Sequence, residues 1–180
     1  VVNYKVFDGT AFSGNLSLTV TVTDANDAPV ITSLDENSTA SIVVSENFAG
    51  TLVDVEATDE DSSPIQTLVY SHGGADAAHF TIDPGTGVLA FASAPDYEIP
   101  TDSGADNTYD LTVTVTDDGT GSMTDVQTIS VTVNNLNDND PVITSGSGDT
   151  ATLGIGEDQY DVTDVNATDA DGDSLTYSIT

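Results

Sequence analysis

The chain of 180 residues has no cysteine, no tryptophan, no arginine and a single lysine, Lys5. Each absence removes a class of function. Without cysteine there is no disulfide, no thiolate metal site and no Cys nucleophile. With one cation, the chain cannot neutralise the phosphates of a nucleic acid or hold an anionic membrane through a basic patch. No apolar run reaches the roughly 18 residues needed to span a bilayer, so no membrane insertion is expected within this segment, and no signal-peptide pattern opens it. The scarcity of basic residues also denies trypsin-like proteases their cut sites, which suits a protein living outside cells.

What is plentiful is acid. Asp and Glu number 31, for a formal charge of −30. Such a charge accompanies disorder when apolar residues are few. Here 37% of residues are hydrophobic, and they recur in regular alternation. The carboxylates are either a solvated surface, as in proteins adapted to salt, or ligands gathered to hold cations. Composition does not choose between these, but position along the chain does.

Strand patterns dominate. The run 109–116 (Tyr-Asp-Leu-Thr-Val-Thr-Val-Thr) alternates apolar and polar residues, the period of a half-buried strand. Ile129–Asn134 and Leu16–Thr23 do the same, and Val53, Val55 and Ala57 alternate with Asp54, Glu56 and Thr58. Val and Thr are at home on a pleated surface, where their branched side chains pack well. Turn chemistry separates the runs, as at Asp83-Pro84-Gly85-Thr86-Gly87 and Asp117-Asp118-Gly119. Short strands with turns between them predict an all-β sandwich.

The chain also repeats itself. Asn26-Asp27-Ala28-Pro29-Val30-Ile31-Thr32-Ser33 returns as Asn137-Asp138-Asn139-Asp140-Pro141-Val142-Ile143-Thr144-Ser145, the prolines lying 141 − 29 = 112 residues apart. Ala57-Thr58-Asp59-Glu60-Asp61 returns as Ala167-Thr168-Asp169-Ala170-Asp171. That period suits one seven-stranded sandwich of about 100 residues. The expected organisation is the last strands of one repeat in 1–28, a complete repeat in 29–140 and the first strands of another in 141–180. The two partial repeats cannot complete each other between copies, so the chain reads as a window on a longer tandem array, with a strand-exchanged polymer as the alternative.

In order along the central repeat come Ser45-Glu46-Asn47, Thr58-Asp59-Glu60-Asp61, the stretch Phe80–Leu89, Asp96-Tyr97-Glu98, Val115-Thr116-Asp117-Asp118-Gly119 and Asn135-Leu136-Asn137-Asp138-Asn139. This succession resembles tandem cadherin repeats, in the form common in large bacterial surface proteins. The resemblance covers the whole chain and implies tandem seven-stranded Greek-key (immunoglobulin-like) β-sandwiches of the cadherin type. It also implies Ca²⁺ at the junctions between repeats.

Calcium is a hard cation that takes 6–8 oxygen ligands from carboxylates, carbonyls and amides. By resemblance, the second junction draws on Glu46, Asp96, Glu98 and Asp138, with carbonyl oxygens from Asn137 and Asn139, and on Asp169 and Asp171 of the next repeat. The first junction draws on Asp24, Asn26 and Asp27 from above and on Asp59, Asp61 and Asp117. Two carboxylates about 5 Å apart repel by about 3 kcal/mol at an effective dielectric near 20. Such clusters should therefore loosen when calcium is removed. The pattern has departures: Asn135 replaces the linker's first Asp, the first linker is one residue shorter, and Ala28 stands where an Asn is expected.

Other readings compete for the same residues. Asp59, Asp61, Asp169 and Asp171 suit solvated turns, and Asp118 and Asp173 read as turn residues. Asp96 and Glu98 also have the look of a catalytic carboxylate pair, but nothing else suggests a sugar cleft, and no enzyme is expected. His72 and His79 lack a third zinc ligand at suitable spacing. Tyr70, Phe80, Phe91 and Tyr109 are expected in the core. The absence of Lys from the central repeat excludes a Lys–Asn cross-link there, leaving calcium as the stiffener. The predicted function is a calcium-rigidified repeat of an extracellular or cell-surface adhesin or filament, its partners being adjacent repeats and like chains in a homophilic fibre. A polysaccharide- or protein-binding module is the alternative, with Tyr97 or Tyr160 on an exposed aromatic patch.

Overall fold

The computed structural model describes residues 2–22, 25–34, 38–61, 65–146, 153–158 and 164–179. Thirteen short strands carry the described chain: β1 Val2–Tyr4, β2 Leu16–Leu18, β3 Val30–Ile31, β4 Thr39–Ser45, β5 Thr51–Asp54, β6 Ala57–Thr58, β7 Val69–Gly73, β8 Phe80–Ile82, β9 Val88–Phe91, β10 Thr108–Thr116, β11 Thr124–Asn134, β12 Val142–Ile143 and β13 Ala167–Thr168. The fold is all-β. A 3-10 turn lies at Ala77–His79, and no α-helix occurs among the described residues.

Strands β3 to β11 build a two-layer sandwich. One sheet has the order β4-β11-β10-β7, the other β5-β9-β8, and β3 pairs with β6 beside it. The β4–β11 pairing is parallel while every other pairing is antiparallel. This places the first long strand of the sandwich beside the last, so its two ends share a sheet. β5 and β6 are one run of chain that changes partner partway.

The alternation read from the sequence sets which side chains face inward. On β10, Tyr109, Leu111, Val113 and Val115 are buried, and the Thr residues between them are half-buried. Opposite them β11 buries Gln127, Ile129, Val131 and Val133, with Tyr109 paired to Val131 and Leu111 to Ile129. The second layer contributes Val55, Phe80 and Leu89, and Ile31 and Tyr70 complete one contiguous core. Removing such side chains from water contributes about 1.5–3 kcal/mol each. Phe80 and Phe91 stack at 4.7 Å, and Tyr109 meets both edge-on, at 6.2 and 5.4 Å. All four expected aromatics thus lie in or against the core.

Two expected strands come out differently. The run Val53–Thr58 is broken at Val55–Glu56, because β5 pairs with β9 whereas β6 pairs with β3. At the break, the Val55 N–H donates to the Gly87 carbonyl at 3.0 Å. Gly87 has φ +78°, and a Cβ there would fall on the Val55 carbonyl, so the approach requires glycine. The run from Leu16 is a strand only to Leu18, and Val20 and Val22 are exposed. Its cause is pairing: β2 bonds only to β1 among the described residues, and a lone two-stranded ribbon is marginal.

The internal repeat is visible in the pairing. β3–β6 joins Val30 to Thr58 and Ile31 to Ala57, and β12–β13 joins Val142 to Thr168 and Ile143 to Ala167. The next bonds match as well: Thr32 N–H to the Glu56 carbonyl, and Thr144 N–H to the Asn166 carbonyl, both at 2.8 Å.

Candidate metal centre

Glu46 follows the end of β4 at the edge of the sandwich and is only 3% exposed. Its Oε2 accepts the Tyr97 N–H at 2.9 Å and its Oε1 the Leu136 N–H at 2.8 Å. One carboxylate thereby ties the 96–98 loop to the linker that leaves β11. Glu98, Asp138 and Asp171 converge on it. One carboxylate oxygen from each of Glu46, Glu98, Asp138 and Asp171 lies within 4.8 Å of the others. Four of the eight residues expected at this junction therefore meet at one point.

The electrostatics of this point are unfavourable as they stand. Glu98 Oε1 is buried and has no hydrogen-bond partner. Desolvation, reinforced by the facing Glu46 and Asp171 carboxylates, holds the Glu98 carboxyl above its ordinary range. Asp171 is held below its range. Desolvation acts against that, but it is outweighed by hydrogen bonds led by the Asn139 backbone N–H, at 2.8 Å, and side-chain amide, at 3.1 Å. No side-chain cation is available to compensate, since Lys5, the only Lys, lies on the exposed stretch after β1. A set of hard oxygens with one buried atom left unpartnered fits a hard divalent cation.

The other four expected residues make other contacts. Asp96 Oδ1 accepts the Ile99 N–H at 3.1 Å, and Asp169 Oδ1 accepts the Asp173 N–H at 3.3 Å. Neither belongs to the four-carboxylate group. Asn137 and Asn139 engage through their side-chain amides: Asn137 Nδ2 meets Asp173 Oδ2, and Asn139 Nδ2 bonds both Asp138 and Asp171. Asn47 Nδ2 also donates to Asp138 Oδ2, and Asn135 Nδ2 to the Asp171 carbonyl at 3.0 Å.

At the opposite end of the sandwich, Asp24 lies outside the described residues. Asn26 Nδ2 donates to Asp117 Oδ2 at 3.0 Å, and Asp117, 4% exposed, also accepts the Gly119 and Met123 N–H groups. The Asp27 N–H donates to Asp61 Oδ2 at 2.9 Å, and the Asp61 N–H to Asp59 Oδ1 at 2.8 Å. Asp59 Oδ2 is buried without a partner. The Asp27 side chain is exposed. Among the described residues these acids do not close into a group as tight as the one at Glu46.

Sequence reasoning missed Gln66. Its Nε2 donates to Asn26 Oδ1 at 2.6 Å and to Asp61 Oδ2 at 2.8 Å, while its Oε1 is buried and unpartnered. Gly119 makes room for this contact, since a Cβ there would collide with both the Asn26 and Gln66 side chains. Asp173, expected only as a turn residue, reaches the linker as well. A sequence signal was available for both: Gln66 and Asp173 each stand two residues before the Leu of a Leu-x-Tyr run, Leu68–Tyr70 and Leu175–Tyr177. Asp118, read as a turn residue, caps the Thr67 N–H at 2.8 Å.

Comparison with known proteins agrees with this architecture. A family model described as "Cadherin domain" matches residues 40–134. Human Protocadherin Fat 1 is 37% identical over 168 residues, spanning 89% of this chain and 3% of that protein. The crystal structure of human CDH23 EC21-23 superposes with a TM-score of 0.64 at 21% identity, over 87% of this chain and 50% of that one. A protocadherin gammaB7 EC3-6 cis-dimer structure gives a TM-score of 0.62 at 23% identity, over 93% and 42%. The chain thus spans a small part of the length of the curated relative it matches.

Proposed function

The chain belongs to the cadherin family, a family of extracellular adhesion domains without enzymatic activity, and we propose that it acts as a calcium-rigidified structural segment of a long extracellular adhesin or filament. The repeats proposed are those of the sequence, a complete one in 29–140 flanked by partial ones in 1–28 and 141–180. The matched pairings β3–β6 and β12–β13 support them. No helix among the described residues is long and apolar enough to cross a membrane.

The observation that carries the calcium reading is the buried, unpartnered Glu98 Oε1 inside a group of four carboxylates. Ca²⁺ would supply the positive charge these oxygens lack. Glu46 and Glu98 belong to the sandwich, Asp138 to the linker and Asp171 to the segment beyond it. Holding one ion therefore requires three stretches of chain to stay together. Asp96, Asn137, Asn139 and Asp169 are the proposed surrounding ligands, and Asp24, Asn26, Asp27, Asp59, Asp61 and Asp117 those of the first junction. An ion that binds the docked arrangement and not the splayed one shifts the equilibrium toward a stiff rod.

The role is mechanical, in cell or matrix adhesion, and a large bacterial surface protein is the proposed setting. Adjacent repeats are the primary partners, with like chains side by side as a second class. Of the two aromatics that would mark the alternative, a polysaccharide- or protein-binding patch, Tyr97 is partly buried against the core, and Tyr160 lies outside the described residues. Small-angle scattering tests the proposal. The maximum dimension in millimolar Ca²⁺ should be well defined and should broaden in EDTA; a profile indifferent to EDTA would overturn it.

A further inference from the structure

The two junctions distribute their charge differently over two positions. The first has Asp24 at the start of the linker and Gln66 in the loop before Leu-x-Tyr. The second has Asn135 and Asp173 at the corresponding places. In sequence, each pair of positions therefore carries one carboxylate, on opposite members.

The loop position is a junction position at both ends. Gln66 Nε2 donates to Asn26 Oδ1, and Asp173 Oδ2 meets Asn137 Nδ2, so each reaches the first Asn of its linker. Each also neighbours the Asp-x-Asp loop: Gln66 donates to Asp61 Oδ2, and the Asp173 N–H donates to Asp169 Oδ1. At the second junction the two exchanging positions are joined through that loop, since Asn135 Nδ2 donates to the Asp171 carbonyl, two residues before Asp173.

We propose that Asp173 is a further calcium ligand of the second junction, replacing the charge that Asn135 removes from the linker, and that Gln66 holds the neutral counterpart of this position at the first. This rests on the calcium reading above. Carboxylate count is a main determinant of affinity in calcium sites. The loop residue before Leu-x-Tyr, together with the first linker residue, then sets the affinity of each junction.

Calorimetric Ca²⁺ titration of the full chain tests this, with thermal unfolding in EDTA measured alongside. Asp173→Asn keeps the turn and its backbone N–H. It should weaken the tightest binding step about tenfold and leave the unfolding temperature in EDTA unchanged. Adding Asn135→Asp to Asp173→Asn should recover most of the lost affinity, which a merely structural turn residue would not allow. An Asp173→Asn affinity within twofold of wild type, or no recovery in the double variant, would overturn the inference while leaving the calcium reading intact. A wild-type chain that binds no Ca²⁺ would overturn both.

Discussion

Asp27 occupies the place of Asn139. Each donates its backbone N–H to the second Asp of an Asp-x-Asp loop, Asp27 to Asp61 Oδ2 at 2.9 Å and Asn139 to Asp171 Oδ2 at 2.8 Å. Each lies two residues before a proline, Pro29 or Pro141. Read from the proline side, then, the shorter first linker keeps the Asn139 seat and lacks a counterpart of Asp138. Ala28 corresponds to Asp140, not to the missing Asn.

Deleting Asp138 gives the second linker the length of the first. The Asn139 seat is set from Pro141, so unfolding in EDTA should shift by no more than a few degrees. Calcium affinity measured by calorimetry should fall tenfold or more, because one of the four converging carboxylates is gone.

Glu46 and Glu98 meet in one cluster but should respond oppositely to mutation in EDTA. Glu46→Ala strands the Tyr97 and Leu136 N–H donors in a partly buried place and should cost about 1 kcal/mol in EDTA, and more in calcium, where one of the four converging carboxylates is also lost. Glu98→Gln removes a charge that is unfavourable without an ion. Melting in EDTA should therefore rise, whereas melting in millimolar Ca²⁺ should fall. Paired melts of the two variants in both buffers check this crossing.

Asp102 is a carboxylate that needs no metal. It is 6% exposed; its Oδ2 accepts the Gly104 and Asp106 N–H groups and its Oδ1 that of Asn107, at 3.0–3.1 Å. Desolvation works against its charge, but these bonds outweigh it and hold its pKa below the ordinary 3.8. A depressed carboxyl stabilises the fold above its unfolded pKa and loses that contribution as pH falls through the lower folded value. Asp102→Ala should cost about 2 kcal/mol at neutral pH. In denaturant titrations that deficit should shrink as the pH falls below 3.8.

Leu89 is fully buried between the sheets. Leu89→Ala should destabilise the sandwich by about 2–5 kcal/mol, equally in EDTA and in calcium. A calcium-dependent deficit would mean that the core and the junction are coupled.

The sandwich was legible because the runs 109–116 and 129–134 alternate apolar residues with polar ones, mostly Thr, and period 2 fixes both strand and facing; the first half of β11, with Val126 exposed and Gln127 buried, breaks that pattern. The junction was legible in part: Glu46, Glu98, Asp138 and Asp171 were expected together and meet. What escaped depended on partners distant in sequence. The break at Val55 reflects a change of pairing strand, which local pattern does not encode. Gln66 and Asp173 carry no metal-binding signature of their own, and only the shared Leu-x-Tyr register marks them. The equivalence of Asp27 and Asn139 is a matter of backbone geometry, hidden by the stronger match of Asn26-Asp27 with Asn137-Asp138.

The most direct test of the account is thermal unfolding of the full chain in EDTA and in millimolar Ca²⁺, with the number of bound ions counted by calorimetry. Ions that bind only the docked state stabilise it by mass action, about 2.7 kcal/mol at a hundredfold excess over the dissociation constant. The account predicts a melting temperature raised by several degrees and at least one ion bound at the Glu46–Glu98–Asp138–Asp171 group. An unchanged melting temperature with no heat of binding would contradict it.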